Sequence, residues 1–207
     1  MAHRLPYCCV NDLGICRPLA RKLPRVGGRS AACWRTMGVM QDRHKLIIMR
    51  HAKAGQLPGG PDFERALRPR GQRDSAAAGA WLAASGFTPD AVICSAARRT
   101  RQTWQYLSPE LGGRPEYATD SALYEADSEG VADIVRQTPE SVGSLLYIGH
   151  NPAAAGLAAI LTGTEPDLPT AAIAVIGLAR QWDELAAGDG HLVASWSPRS
   201  GHHHGGR

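Results

Sequence analysis

The apolar positions of this chain fall into short runs separated by Gly- and Pro-rich breaks, with no long periodic stretch. Lys45-Leu-Ile-Ile-Met49 is a compact, β-branched run that predicts a buried strand, and it exits at Arg50-His51. The next segment carries Gly55, Pro58, Gly59, Gly60, Pro61 and Pro69 and so predicts a loop. An Ala-rich amphipathic pattern from about Gly71 to Ser85 then predicts a helix, with Gly86 placed to stop it. Ala91-Val-Ile-Cys94 reads as a second strand, and Ser95 as the cap of a helix holding Arg98, Arg99, Arg101, Thr103 and Trp104. A short strand near Glu116–Ala118 leads to Leu123-Tyr-Glu125 and a helix from about Asp127 to Gln137. Ser144-Leu-Leu-Tyr-Ile148 predicts another buried strand, ending at Gly149-His150-Asn151-Pro152. Pro152 suits the first turn of a helix running to about Leu161. Ala171–Leu178 and His191–Trp196 predict closing antiparallel strands joined through Gly188-Asp-Gly190.

Strands alternating with helices point to an α/β sandwich with a largely parallel central sheet. In such sheets ligands bind beyond the carboxyl ends of the strands, and here two strands end in a His-containing turn. One domain over residues 45–198 accounts for the periodic sequence. Residues 1–44 show no sustained period and are broken by Pro6, Pro18, Pro24 and Gly27-Gly28, so disorder is expected there. Their Arg-rich, acid-poor composition also fits an upstream reading frame with the true start at Met37 or Met40. The tail over 199–207, with three consecutive His, is expected to be a disordered end.

The net charge of +4 suggests nucleic acid until it is located along the chain. Residues 1–44 hold eight Lys/Arg against two Asp, or +6. The remaining 15 basic and 17 acidic residues give −2. The folded part is slightly acidic, which argues against a nucleic-acid surface. No stretch approaches the roughly 18 apolar residues of a membrane span. Four of the five cysteines lie in the first 44 residues, and Cys94 alone follows them, which points to a reducing, cytoplasmic setting and no disulfide scaffold. No His, Cys, Asp or Glu spacing matches a metal site, so no metal or other cofactor is expected.

The chemistry gathers at strand ends. Arg50-His51 follows the first strand, Ser95-Ala-Ala-Arg-Arg99-Thr-Arg-Gln-Thr103 the second, and Gly149-His150-Asn151-Pro152 the fourth. Leu46-Ile-Ile-Met-Arg-His-Ala52 resembles the Arg-His signature of the histidine phosphatase superfamily, with Ala52 where most members have Gly. Ser95 to Thr103 is similar to that family's Ser-Pro-x-x-Arg-Ala-x-Gln-Thr segment, with Ala96 for its Pro and Thr100 for its Ala. The His150 turn matches the family's late His, and Asp62-Phe-Glu-Arg65 through Arg70-Gly71 resembles its post-signature loop. Within the superfamily the chain is most similar to the small SixA-type phosphohistidine phosphatases.

The resemblance implies a three-layer, phosphoglycerate-mutase-like sandwich in a minimal version without lid insertions. It implies catalytic roles for His51, Arg50, Arg99, His150 and Glu125: attack by neutral His51, a phospho-His51 intermediate and hydrolysis by water. Arg50 and Arg99 can each grip phosphate oxygens bidentately, and positive charge near an imidazole favours its neutral form. His150 is expected to donate to the transferring group, and Glu125 to handle the leaving-group proton; the other reading of Glu125 is an exposed loop residue capping the helix at Asp127. Asp62 and Arg65 are candidate substrate-binding residues, with ordering of the loop, together with Arg68, as their other role. Cys94 reads as a small core residue, Arg98 and Arg101 as solvated, and His191 as a strand residue without catalytic duty.

Only 25 residues separate Arg99 from Glu125, which leaves little sequence for a lid. The expected substrate is therefore phosphohistidine on a phosphotransfer protein, acted on by a monomer. A small phosphomonoester, such as a sugar phosphate or nucleotide, is the alternative in the same class. A non-catalytic phosphate-binding module is the alternative in another class, disfavoured because the nucleophile, both Arg and the second His are all present.

Overall fold

The structure is a computed structural model that describes residues 42–198. The expectations for 1–41 and for the tail from 199 lie outside the described residues. The sheet contains β1 (His44–Arg50), β2 (Ala91–Ser95), β3 (Glu116–Asp120), β4 (Ser144–Gly149), β5 (Ile173–Leu178) and β6 (Gly190–Trp196). Their spatial order is β3-β2-β4-β1-β5-β6. The first four strands in that order run parallel, whereas β5 pairs antiparallel with β1 and β6 antiparallel with β5. The connecting helices are α1 (Pro69–Ala84), α2 (Arg98–Leu107), α3 (Ser128–Arg136) and α4 (Ala153–Thr162).

Side-chain alternation along the strands makes the three layers. On β1, Leu46 and Ile48 pack into one cluster with Val131 and Val135 of α3 and Leu157 and Leu161 of α4. Ile47 and Met49 point the other way, into a cluster with Leu82 of α1 and Leu107 of α2. Because both faces are covered, β1, β4 and β5 read as continuous apolar runs rather than alternating ones. The edge strand β3 is mostly exposed. Among the described residues no helix is long and apolar enough to cross a membrane.

Several boundaries differ from the sequence expectation for local reasons. α1 begins two residues early because Pro69 occupies its first turn, where the missing N–H costs nothing. α2 begins at Arg98 with Ala97 as its N-cap, so Ser95 is the last residue of β2 and not a helix cap. Pro152 is the N-cap of α4 and not its first residue. The β5–β6 connection is longer than the Gly188–Gly190 turn because it carries Trp182 into the core, where its indole N–H donates to the Val142 carbonyl at 2.7 Å.

Candidate active site

β2, β4 and β1 are neighbours in the sheet, so their carboxyl ends bring Ser95, Gly149-His150 and Arg50-His51 to one edge. The exit of β1 is pinned on three sides. The His51 N–H donates to the Gly149 carbonyl at 2.9 Å, the His51 carbonyl accepts from the Ala171 N–H at 3.1 Å, and the Ala52 N–H donates to Thr103 Oγ1 at 3.0 Å. Glycine suits position 149, since a Cβ there would run into the ring and hydroxyl of the fully buried Tyr147. Arg99 enters from the first turn of α2, largely buried.

The two imidazoles face each other with ring centroids 5.2 Å apart. His51 Nδ1–H donates to the Ala52 carbonyl at 2.8 Å, which leaves Nε2 as the nitrogen with a free lone pair when the ring is neutral. Burial pushes the His51 pKa down to about 3, with the charges of His150, Arg99 and Arg50 acting in the same sense and the Ala52 bond opposing. Burial and then Arg99 push His150 down to about 4, against the opposing pull of Asp62. His150 Nε2 lies 2.9 Å from Ser95 Oγ.

The guanidinium groups are only partly satisfied. Arg50 Nη1 donates to the Leu168 carbonyl at 3.0 Å, and burial lowers the Arg50 pKa despite the nearby Asp167. Arg99 Nη1 donates to the Asp62 carbonyl at 2.9 Å and lies 2.9 Å from Asp62 Oδ2. Arg50 Nε, Arg99 Nε and His150 Nδ1 are buried and have no hydrogen-bond partner among the described residues. A buried donor without a partner costs about 1–3 kcal/mol, so the two guanidinium Nε–H groups, with His150 Nδ1 able to donate beside them when Nε2 accepts from Ser95, suit an anionic acceptor. A tetrahedral oxyanion offers the several acceptor oxygens such donors require.

Asp62 and Arg65 come together over this site. Arg65 Nη1 donates to Asp62 Oδ1 at 2.6 Å and its Nε donates to the Gly55 carbonyl at 2.8 Å. The bond from Arg65 is the main cause that holds the Asp62 carboxyl down at about 2. Tyr124 meets the same group, its hydroxyl donating to Asp62 Oδ2 at 2.9 Å. Its ring stands edge-on to His150 at 5.7 Å, and Arg99 Cζ lies 5.7 Å from the ring centroid. Glu125, next in sequence, is exposed, and its side chain makes no hydrogen bond or ion pair among the described residues. It does not cap the following helix either, because Asp127 supplies that cap by accepting from the Gly130 N–H at 2.9 Å.

The remaining candidates are quiet. Cys94 is fully buried and burial pushes its thiol up to about 12, which removes it as a nucleophile. Arg98 and Arg101 are exposed, and His191 lies on β6 with Nε2 3.5 Å from Asp42. Among the described residues no group of three His, Cys, Asp or Glu is arranged to hold a metal ion. Sequence reasoning missed Ser95 as the partner of His150, Tyr124 as the side chain joining Asp62, Arg99 and His150, and the Leu168 carbonyl that accepts from both Arg50 and Asn151. The first two stood inside segments already singled out; nothing in the sequence marks a backbone carbonyl 118 residues away from Arg50.

Comparison with known proteins identifies the family and the fold. The sequence profile of the histidine phosphatase superfamily (branch 1) matches residues 46–157. An uncharacterised protein of Mycobacterium tuberculosis H37Rv is 36% identical over 162 residues, covering 73% of this chain and all of its own. A protein from Nakamurella multipartitia whose solved structure carries the name phosphohistidine phosphatase SixA superposes with a TM-score of 0.66 at 27% identity, over 76% of this chain and 97% of that one. A protein histidine phosphatase SixA solved with tungstate gives a TM-score of 0.65 at 27% identity, over 74% and 97%.

Proposed function

From the premise that this chain belongs to the histidine phosphatase superfamily, in its SixA type, we propose that it hydrolyses phosphohistidine on a phosphotransfer protein through a phospho-His51 intermediate, without a metal ion. That it is a phosphatase follows from the family; the substrate, the intermediate and the residue roles are our reading. The observation that carries it is the pair of buried, unpaired donors Arg50 Nε and Arg99 Nε, with the unpaired His150 Nδ1, gathered with a His51 that stays neutral. A neutral, strongly desolvated imidazole beside two permanent cations is a nucleophile suited to an anionic phosphoryl group. The tungstate reported for one similar structure is an oxyanion of the same tetrahedral kind and fits this reading.

In the first step His51 Nε2 attacks phosphorus in line, the bond to the leaving nitrogen breaks, and that nitrogen takes up a proton. In the second, water attacks the phospho-imidazole, loses a proton, and returns neutral His51 and inorganic phosphate. Charge on the three equatorial oxygens in both steps falls to Arg50, Arg99 and His150. Glu125 directly follows Tyr124 in sequence, and its proposed duty is the proton that enters the leaving group and leaves the attacking water. An imidazole leaving group makes less demand on that duty than an alkoxide does. Glu125→Gln is accordingly expected to slow sugar phosphate turnover by roughly a hundredfold and phosphohistidine turnover by much less. Equal, full turnover on both substrates removes Glu125 from the mechanism.

The decisive experiment measures turnover of a histidine-phosphorylated phosphotransfer protein and of p-nitrophenyl phosphate in excess EDTA, with His51→Ala as control. Activity that survives EDTA and vanishes in the variant supports the mechanism, and the preferred substrate separates phosphoprotein from small phosphomonoester. Folded protein with no turnover above the variant moves the reading to a phosphate-binding module.

A further inference from the structure

Asp62 and Tyr124 have no role in the mechanism above, yet both touch its machinery, Asp62 at Arg99 and the Tyr124 ring at Arg99 and His150. Arg99 spends a single nitrogen on Asp62: Nη1 takes both the Asp62 carbonyl and Oδ2, each at 2.9 Å. Its Nε stays buried and unpaired. Asp62 is itself held from two sides, by Arg65 on Oδ1 at 2.6 Å and by the Tyr124 hydroxyl on Oδ2 at 2.9 Å. Tyr124 is fixed in turn, its ring edge-on to His150 and in T-shaped contact with Phe63 at 5.1 Å. The 3-10 turns Asp62–Glu64 and Ala122–Tyr124 are thereby joined above the strand ends.

We propose that Asp62 and Tyr124 are positioning residues, a brace that locks the plane of Arg99 so that its Nε edge is presented to the phosphoryl group, while the edge of the Tyr124 ring holds His150. A guanidinium has five donors in a rigid fork, so fixing one end fixes the direction of the other. A carboxylate free to rotate would instead compete with the phosphoryl group for Arg99. Asp62 is not free: three hydrogen bonds, counting the one to its own backbone carbonyl, and one ion pair hold it against Arg65, Tyr124 and Arg99. Asp62 therefore acts through Arg99 and does not touch the substrate, which assigns it and Arg65 to ordering the site rather than to substrate binding. This inference rests on the phosphoryl site proposed above, but anion binding alone is enough to test it.

The test measures inorganic phosphate binding by calorimetry, and kcat and KM on p-nitrophenyl phosphate, for Asp62→Ala, Asp62→Asn, Tyr124→Phe and Arg99→Ala, and for Asp62→Ala combined with Arg99→Ala. Asp62→Ala is expected to weaken phosphate binding and to lower kcat/KM by roughly ten- to hundredfold, the scale of a reactive group displaced by about 1 Å. Asp62→Asn, which keeps one acceptor, should fall between, and Tyr124→Phe, which keeps the ring, should lose less. The brace predicts that Asp62→Ala adds little once Arg99 is already Ala, a non-additivity that general loss of stability does not produce. Tighter phosphate binding in Asp62→Ala makes the carboxylate a competitor and overturns the proposal, as does a full additional loss in the double variant. A wild type that binds phosphate without turning over any substrate contradicts the proposed function and leaves the brace to be judged by binding alone.

Discussion

At the residue scale the central requirement is an imidazole that is neutral where a solvated one is half protonated. His51 meets it by burial first, reinforced by His150, Arg99 and Arg50, and its Nδ1–H bond to Ala52 settles which nitrogen is free. The consequence is an acid limb displaced from the usual histidine position. kcat/KM reports the free enzyme, so after correction for the ionisation of the substrate it should stay level from pH 7 down to about 5. Loss centred near 6.5 would show that His51 is solvated and titrates normally. Much of this residue-level picture was legible in the sequence, because Arg50, His51, Arg99 and His150 each lie at or just beyond a strand end, and strand ends can be read from apolar runs. Ser95 and Tyr124 were not, because their duties depend on direction: Ser95 reads equally well as a helix cap until its hydroxyl is seen on His150.

At the scale of elements, the site is held by the attachment of α2 to the end of β1. Thr103 makes that attachment, accepting from the Ala52 N–H at 3.0 Å while its own hydroxyl donates to the Arg99 carbonyl at 2.7 Å. One buried side chain thus links the residue after His51 to the backbone of Arg99. Thr103→Val keeps the volume and removes the hydroxyl, leaving the Ala52 N–H unpaired. The expected cost is about 1–3 kcal/mol, read as a drop in the urea midpoint, with a fall in kcat/KM because His51 and Arg99 are no longer tied. A stability loss without any kinetic change would make the link structural only. The elements themselves were largely readable in the sequence, since strands buried on both faces give continuous apolar runs and an amphipathic period marks helices such as α3. Their ends were less so: Pro69 and Ala97 set helix starts that composition places two or three residues away.

At the scale of the whole molecule, a site built from buried neutral imidazoles links function to stability. The order β3-β2-β4-β1 brings three strand ends together, and that convergence, implied by the alternating pattern, also crowds Arg50, Arg99, His51 and His150 into one desolvated place. Both His pKa values are lower in the folded state than the ordinary 6.5, so between about pH 6.5 and 4 the unfolded chain binds more protons than the folded one. Stability must therefore fall as pH falls through that window. Asp62 acts in the same direction but lower, its contribution present above 3.8 and lost toward about 2. At pH 4.5 a histidine pinned well below that point opposes folding by about 2–3 kcal/mol. Replacing His51 with Gln removes its share, so the variant should lose less stability than the wild type between pH 7 and 4.5 in urea titrations. Parallel stability curves for the two proteins would mean that His51 takes up its proton in the folded state as readily as in the unfolded chain, and the neutral imidazole that the proposed mechanism needs would then have to be supplied by bound substrate rather than by the fold.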